Sequence, residues 1–112
     1  YKLWEGSWDD GALLADRVSG MYADPAKVHR IDHAGPRYRV EGPHLVSPSP
    51  QRTPLLFQAG SSPAGMDFAA RHAEAVFLMA PAPALAAQAI AAIRARLEAH
   101  GRGADAIKFF QG

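Results

Sequence analysis

The sequence predicts an α/β protein whose second half runs strand, helix, strand, helix, strand. After Pro54, three short apolar runs, typical of strands covered on both faces, alternate with two stretches of helical periodicity. Serine, proline and glycine stand where helices would begin and end. Strands that alternate with helices form parallel sheets with right-handed crossovers. We therefore divide the chain into a helix plus hairpin-containing insertion over 1-53 and a β-α-β-α-β portion over 54-112.

The composition excludes several classes of protein. The 112 residues include no cysteine, which excludes a disulfide framework, a thiolate zinc site and a cysteine nucleophile. A net charge of +1 argues against nucleic acid as a partner. The first residues do not have a signal-peptide pattern, and the most apolar stretch, 80–97, is interrupted by prolines and arginines. We expect no membrane contact and a cytoplasmic location.

The first half is irregular and rich in turns. Asp9 or Asp10 could cap a short helix, because the apolar residues between Ala12 and Val18 have mixed helical spacing, and Gly20 and the residues after it would end that helix. Trp4 and Trp8 are four residues apart, the spacing that places two side chains on one helical face. Packing within a larger protein is the favoured interpretation of this pair, and stacking on a ligand is the alternative.

Two extended segments follow in this half. Residues 28–33 and 37–41 flank the Ala-Gly-Pro turn at 34–36, which predicts a hairpin. The stretch 42–54 holds four prolines, so we expect a connector without strand pairing.

The second half opens with a buried strand, Leu55–Gln58. Ser62 at the N-cap and Pro63 at the first helical position then start a helix that should reach about Ala73.

A second strand is predicted over Ala75–Met79, and a helix follows it. Gly101 is placed to end this helix, and a third strand runs over Ala106–Phe110. One face of the helix carries four apolar residues, Ala86, Ile90, Ile93 and Leu97.

The best candidate site is the segment Gln58–Gly65, between a strand and a helix. Unpaired N–H groups at a helix start favour an anion. Gly60 and Gly65 would let the backbone approach a phosphate, and Ser61 and Ser62 could donate hydroxyl hydrogen bonds to it. The alternative is purely structural, with Ser62 capping the helix and Gly60 making the turn. Because no Walker-type lysine or full dinucleotide fingerprint is present, the local pattern leaves both open.

Other candidate residues have a plain structural interpretation. His29, His33 and His44 are close in sequence, but their spacing fits no metal motif. His72 would suit a helix carboxyl end as a cation. Arg37 and Arg39 share one face of a strand, with a solvated edge as the default and anion binding as the alternative. No glycine-x-serine-x-glycine elbow is present. We assign no catalytic residue and no metal ligand.

An ordered series of short stretches carries a family resemblance. The chain resembles the bacterial-luciferase-like flavin monooxygenases, and within them the nitrilotriacetate and dibenzothiophene-sulfone monooxygenase type. The resemblance runs through essentially the whole chain. The stretches that carry it are Asp24–Gly35, Tyr38–Pro43, Ser49–Gln51, Gln58–Ser62, Gly65–Ala70 and Ala73–Phe77.

The resemblance implies a partial TIM (β/α)8 barrel and an FMN-dependent monooxygenase of which this chain is a fragment, inactive alone. Such enzymes use reduced FMN, supplied by a separate flavin reductase, and O₂ to oxygenate a small organic substrate. We expect the full-length protein to be a homo-oligomer. Gly60, Ser61, Ser62 and Gly65 match the residues near the FMN phosphate. A stand-alone phosphate-ligand or flavin-binding module without catalysis is the alternative.

Overall fold

The computed structural model describes all residues from Tyr1 to Gly112, which form two compact units, Tyr1–Pro54 and Leu55–Gly112. None of the helices is both long and apolar enough to span a membrane. The first unit consists mostly of loops. Its regular elements are helix α1 (Lys2–Gly6), a 3₁₀ turn (Pro25–Lys27) and the short strands β1 (His33–Ala34) and β2 (Arg39–Val40).

The short helix predicted to begin near Asp9 or Asp10 and to end by Gly20 is absent, so that prediction is wrong. Local hydrogen bonds hold this stretch in a loop instead. The N–H groups of Leu14 and Ala15 both donate to the Tyr22 carbonyl at 2.9 Å, and Ala15 has a φ of 45°. The Asp16 carboxylate accepts from the Val18 N–H at 2.9 Å, a turn that competes with helix formation.

The two tryptophans also differ from the prediction of a shared helical face. Helix α1 ends at Gly6, so only Trp4 is helical. Trp8 is buried, pairs with Val28 through an isolated β-bridge, and donates from Nε1 to the His44 carbonyl at 2.8 Å. Trp8 is therefore a core residue of the first unit.

The structure contains an antiparallel hairpin where the sequence predicts one, but the paired part is only two residues long. The N–H groups of Ile31 and Asp32 both donate to the Glu41 carbonyl, and Asp32 has a φ of 38°. Two residues therefore oppose one, as in a β-bulge, and regular pairing is confined to β1 and β2.

The second unit is a three-stranded parallel sheet with two helices. Its elements are β3 (Phe57–Ala59), α2 (Pro63–His72), β4 (Ala75–Leu78), α3 (Pro83–Ala99) and β5 (Lys108–Gln111). Strand β4 lies between β3 and β5, and both pairings are parallel. The helices occur where the sequence predicts them, whereas β3 and β5 each begin two residues later than predicted.

The core of this unit lies between the helices and one face of the sheet. Val76 and Leu78 of β4 pack there against Ile93 and Leu97 of α3 and the alanines of α2. Neither helix of this unit covers the other face, which carries Phe57, Phe77 and Phe110, and these are 58%, 38% and 48% exposed. The expectation that β3 is covered on both faces is therefore wrong within this unit, because both helices pack on the same side.

Helix α3 ends as the sequence predicts. Gly101 has a φ of 68°, and the N–H of Arg102 donates to the Leu97 carbonyl at 2.9 Å, the long-range bond of a Schellman motif. This ending directs the Arg102 guanidinium to the last carbonyls of α2, where it donates to Ala70 and Ala73 at 2.8 Å each. The turn after α3 therefore caps the carboxyl end of α2.

Candidate functional site

The candidate site is the loop that joins β3 to α2, at the edge of the sheet where the parallel strands end. Ser62 is the N-cap of α2, and its Oγ accepts from the Gly65 N–H at 3.1 Å. Pro63 stands at the first helical position, as predicted. Gly60 has a φ of 144°, a conformation that side chains strongly disfavour. The sequence pattern therefore builds the strand-to-helix turn that we expected.

Several hydrogen-bond donors in this loop are not used by the protein. No hydrogen bond within the chain occupies the N–H groups of Ser61, Ser62 and Ala64. They lie at the amino end of a ten-residue helix, where the helix dipole favours negative charge. The chain has no lysine or arginine between Arg52 and Arg71. An anion bound here would be held by backbone N–H groups and hydroxyls.

The glycines leave a small space that polar atoms surround. A Cβ on Gly65 would lie 3.1 Å from Ser62 Oγ, 3.5 Å from Gln58 Nε2 and 3.6 Å from the Gly60 carbonyl oxygen. A Cβ on Gly60 would lie 3.5 Å from the same Gln58 nitrogen. Gln58, Gly60, Ser61, Ser62 and Gly65 are thus together in one loop, which we call the glycine-serine loop.

Gln58 begins the predicted candidate segment, but it was not among the residues to which we assigned a binding role. It was predicted as the last residue of a strand, and the structure places its amide beside the glycine-serine loop. It pairs with Val76, a core residue, so its side chain lies on the helix-covered face of the sheet. The sequence shows only a glutamine at the end of an apolar run, and the face that it occupies follows from its register with Val76.

A cavity of about 380 Å³ opens next to this loop. Ser61 contributes to its wall, and the side chains of Met66, Leu78, Met79 and Leu85 make much of the remainder apolar. A ligand with an anionic group and an apolar body could therefore place the anion at the loop donors and the apolar body in the cavity.

Asp67, one turn into α2, does not present a free negative charge to this region. A hydrogen bond from His100 Nε2 at 2.9 Å lowers the pKa of the Asp67 carboxyl, and Arg71 lies 3.4 Å from its other oxygen. The carboxylate is therefore paired with His100, which follows α3, and with Arg71 of its own helix.

The histidines of the first unit have separate partners. His29 Nε2 lies 2.7 Å from an Asp9 oxygen, His33 Nδ1 lies 3.3 Å from Lys2 Nζ, and His44 Nδ1 lies 3.1 Å from a backbone carbonyl. The structure shows no cluster of three metal-ligating side chains.

The remaining candidates are structural or exposed. Burial is the main cause that lowers the pKa of His72, whose ring lies 4.9 Å from that of Phe68. Arg102 takes the role predicted for His72, because its guanidinium donates to the carbonyls at the end of α2. Arg37 and Arg39 are exposed.

The fold and the site define an α/β protein with a strand-to-helix loop suited to an anion. Comparison with known proteins identifies the family of the chain. The family model described as luciferase-like monooxygenase matches residues 3–112, and the chain belongs to this family.

Its relatives are monooxygenases several times longer than the chain. Over 100% of this chain, the sequence is 50% identical to the long-chain alkane monooxygenase of Geobacillus thermodenitrificans. Over 98% of this chain, it is 50% identical to the dimethyl-sulfide monooxygenase of Hyphomicrobium sulfonivorans. It spans 26% and 23% of these two proteins. The predicted branch is confirmed, since dibenzothiophene-sulfone and nitrilotriacetate monooxygenases are 47% and 38% identical to the chain.

Solved structures agree with this assignment. The crystal structure of a long-chain alkane monooxygenase superposes with a TM-score of 0.80, at 50% identity, over all of this chain and 26% of that one. A riboflavin lyase, solved with modified FMN and riboflavin, superposes with a TM-score of 0.78 at 53% identity, over all of this chain and 25% of that one.

Proposed function

We propose that this chain is a segment of an FMN-dependent monooxygenase that uses reduced FMN and O₂ to oxygenate a small organic substrate. The observation that carries the proposal is the glycine-serine loop, with unused N–H donors, in a chain that belongs to the luciferase-like monooxygenase family. A separate flavin reductase supplies the reduced flavin, and the complete protein is a cytoplasmic homo-oligomer.

The loop fits a phosphate ester. Gly60 and Gly65 leave the space that side chains would fill, and Ser61 and Ser62 place hydroxyls beside it. When bound, FMN supplies the oxygen chemistry. The residues of this chain hold its phosphate, and the cavity beside Ser61 provides an apolar wall that excludes water.

The same proposal gives the uncovered sheet face a role. We assign the β-α-β-α-β unit to a partial TIM (β/α)8 barrel, in which both units belong to one larger domain. The exposed side chains of Phe57, Phe77 and Phe110 then face the barrel interior, and strands outside this chain pair with the free edges of β3 and β5. The glycine-serine loop follows β3, at the carboxyl-end face where barrel active sites occur.

We expect the change Ser62→Asp in the complete protein to reduce FMN affinity at least tenfold without lowering Tm. Aspartate caps a helix as well as serine does, so the turn is kept, but its carboxylate repels the phosphate. Flavin fluorescence titration with FMN and with riboflavin measures the effect. Riboflavin lacks the phosphate, so its affinity should change less than twofold.

Two further variants complete this test. Ser61→Ala leaves the cap intact and should weaken only FMN, whereas Ser62→Ala also loses about 1 kcal/mol of helix capping. Unchanged FMN affinity in Ser62→Asp would rule out this loop as the phosphate site.

The alternative is a phosphate-ligand or flavin-binding module without catalysis. The unused donors of the loop would serve it equally well. The two functions differ in product: the complete protein, given reduced FMN and ¹⁸O₂, should transfer ¹⁸O to an organic compound. A panel of alkanes, sulfides and sulfones, chosen from the relatives, is a suitable start. FMN binding without labelled product from any compound would favour the module.

A further inference from the structure

Met79 is an exposed thioether at the edge of the sheet where the parallel strands end. It is the first residue after β4 and is 82% exposed. Its neighbour Leu78, the last residue of β4, is 5% exposed and packs in the core. The chain therefore leaves the core between these two residues. The sulfur of Met79 is open to small molecules that reach this edge of the sheet.

The register of the sheet brings Met79 to the level of the candidate site. Ala59 of β3 pairs with Phe77 of β4, and two residues further on the two chain segments reach Ser61 and Met79. Ser61 and Met79 both border the cavity of about 380 Å³. Barrel enzymes carry their active sites at this carboxyl-end face. Met79 thus lies where the proposed monooxygenase would bring reduced FMN and O₂ together.

A methionine in this position is exposed to a specific oxidant. When O₂ takes two electrons and two protons from reduced flavin without oxygenating a substrate, the product is H₂O₂, a side reaction that active sites limit by excluding water. The chain has no cysteine, so its methionine sulfurs are the side-chain atoms that H₂O₂ oxidises most readily. One oxygen of H₂O₂ bonds to the sulfur, the O–O bond breaks, and the other oxygen leaves as water. The sulfur loses two electrons, which the peroxide gains.

We infer that Met79 is a self-oxidation site, converted to methionine sulfoxide by H₂O₂ that forms at the bound flavin and reacts before it escapes into solution. The inference rests on the proposed function and adds a modification to it. The sulfoxide is polar, so it changes a cavity wall that Met79 shares with Met66 and Leu85. Turnover without an organic substrate therefore marks the protein at the place where peroxide forms.

The test compares oxidation at the flavin with oxidation from solution. One sample of the complete protein, in excess over reduced FMN, receives ¹⁸O₂ and catalase, and a second sample receives H₂O₂ alone. Peptide mass spectrometry measures sulfoxide at Met79 and at Met21, which is 44% exposed in the first unit. We expect the ratio of Met79 to Met21 sulfoxide to be at least about tenfold higher in the first sample, because proximity raises the local peroxide concentration. The Met79 sulfoxide should carry ¹⁸O.

Two leucine variants provide the matched comparison. Met79→Leu removes the thioether at similar volume and should lower the ¹⁸O incorporated into the whole protein by more than about half. Met21→Leu removes a thioether in the first unit and should lower it only slightly. Equal losses of label in the two variants would overturn the inference.

Flavin fluorescence on the same samples separates this inference from the proposed function. If the complete protein does not bind FMN, the proposed function fails and the inference fails with it. If FMN binds and the ratio of Met79 to Met21 sulfoxide equals the ratio produced by H₂O₂ alone, only the inference is wrong. An unlabelled Met79 in a protein that binds FMN leads to the same conclusion.

Discussion

Gly65→Ala in the complete protein should weaken FMN binding about tenfold to hundredfold while Tm stays unchanged or rises slightly. The added Cβ would lie 3.1 Å from Ser62 Oγ and 3.5 Å from Gln58 Nε2, so it would occupy the space that both donors border. A phosphate oxygen displaced from that space loses hydrogen bonds to a charged group, which sets the expected magnitude.

We expect the free energy of unfolding of this variant to stay unchanged or to rise slightly, although its FMN affinity falls. Gly65 is the third residue of α2, where alanine is favoured over glycine by up to about 1 kcal/mol. The close contact with Ser62 Oγ offsets part of that gain. A large loss of affinity in a protein that is no less stable would show that the glycine is kept for the ligand.

Fluorescence titration with FMN, together with thermal unfolding of the ligand-free protein, measures both effects. Gly103→Ala is the control, because no atom lies within 4 Å of the Cβ position at Gly103. Normal FMN affinity in Gly65→Ala would mean that the space beside Gly65 is not part of a phosphate site.

The second unit was predictable because its signals are local. Ser62 and Pro63 define the start of α2, and Gly101 defines the end of α3, through capping interactions within a few residues. The strands are apolar runs that need no distant partner to be recognised. The burial of the strands was not predictable in the same way: Phe57 is exposed because both helices of the second unit pack on the other face of the sheet.

The first unit shows where local patterns fail. The apolar stretch before Val18 has helical spacing, but the Tyr22 carbonyl captures the N–H groups of Leu14 and Ala15. Such contacts depend on the path of the whole loop and leave no periodic signal. Trp8 is similar, since its partner His44 lies 36 residues away.

The candidate site likewise has one part that the sequence predicts and one part that it does not. Gly60, Ser61, Ser62 and Gly65 form a contiguous sequence pattern with a known physical role, so the loop could be predicted as a unit. The contribution of Gln58 depends on which face of β3 it occupies, and that follows from its register with Val76 of the next strand. Sequence patterning within one short strand cannot supply this register.

Arg102→Met should destabilise the second unit by about 2–4 kcal/mol, the largest stability effect that we expect of a substitution at a charged residue of this unit. The guanidinium donates to the carbonyls of Ala70 and Ala73 at 2.8 Å and approaches those of Ala69 and Ala106 at 3.4 and 3.5 Å. Methionine keeps most of the apolar stem, so the change chiefly removes these charged hydrogen bonds and leaves carbonyls at the end of α2 unsatisfied.

Hydrogen exchange in the complete protein gives the local readout. The N–H of Ala73 donates to the Ala69 carbonyl at 2.9 Å at the end of α2, and its protection should fall in Arg102→Met together with Tm. Arg71→Met is the control: Arg71 is exposed and contacts Asp67 at 3.4 Å, so its loss should cost no more than about 0.5 kcal/mol. Equal effects of the two changes would show that general surface charge, and not the cap on α2, stabilises this end of the unit.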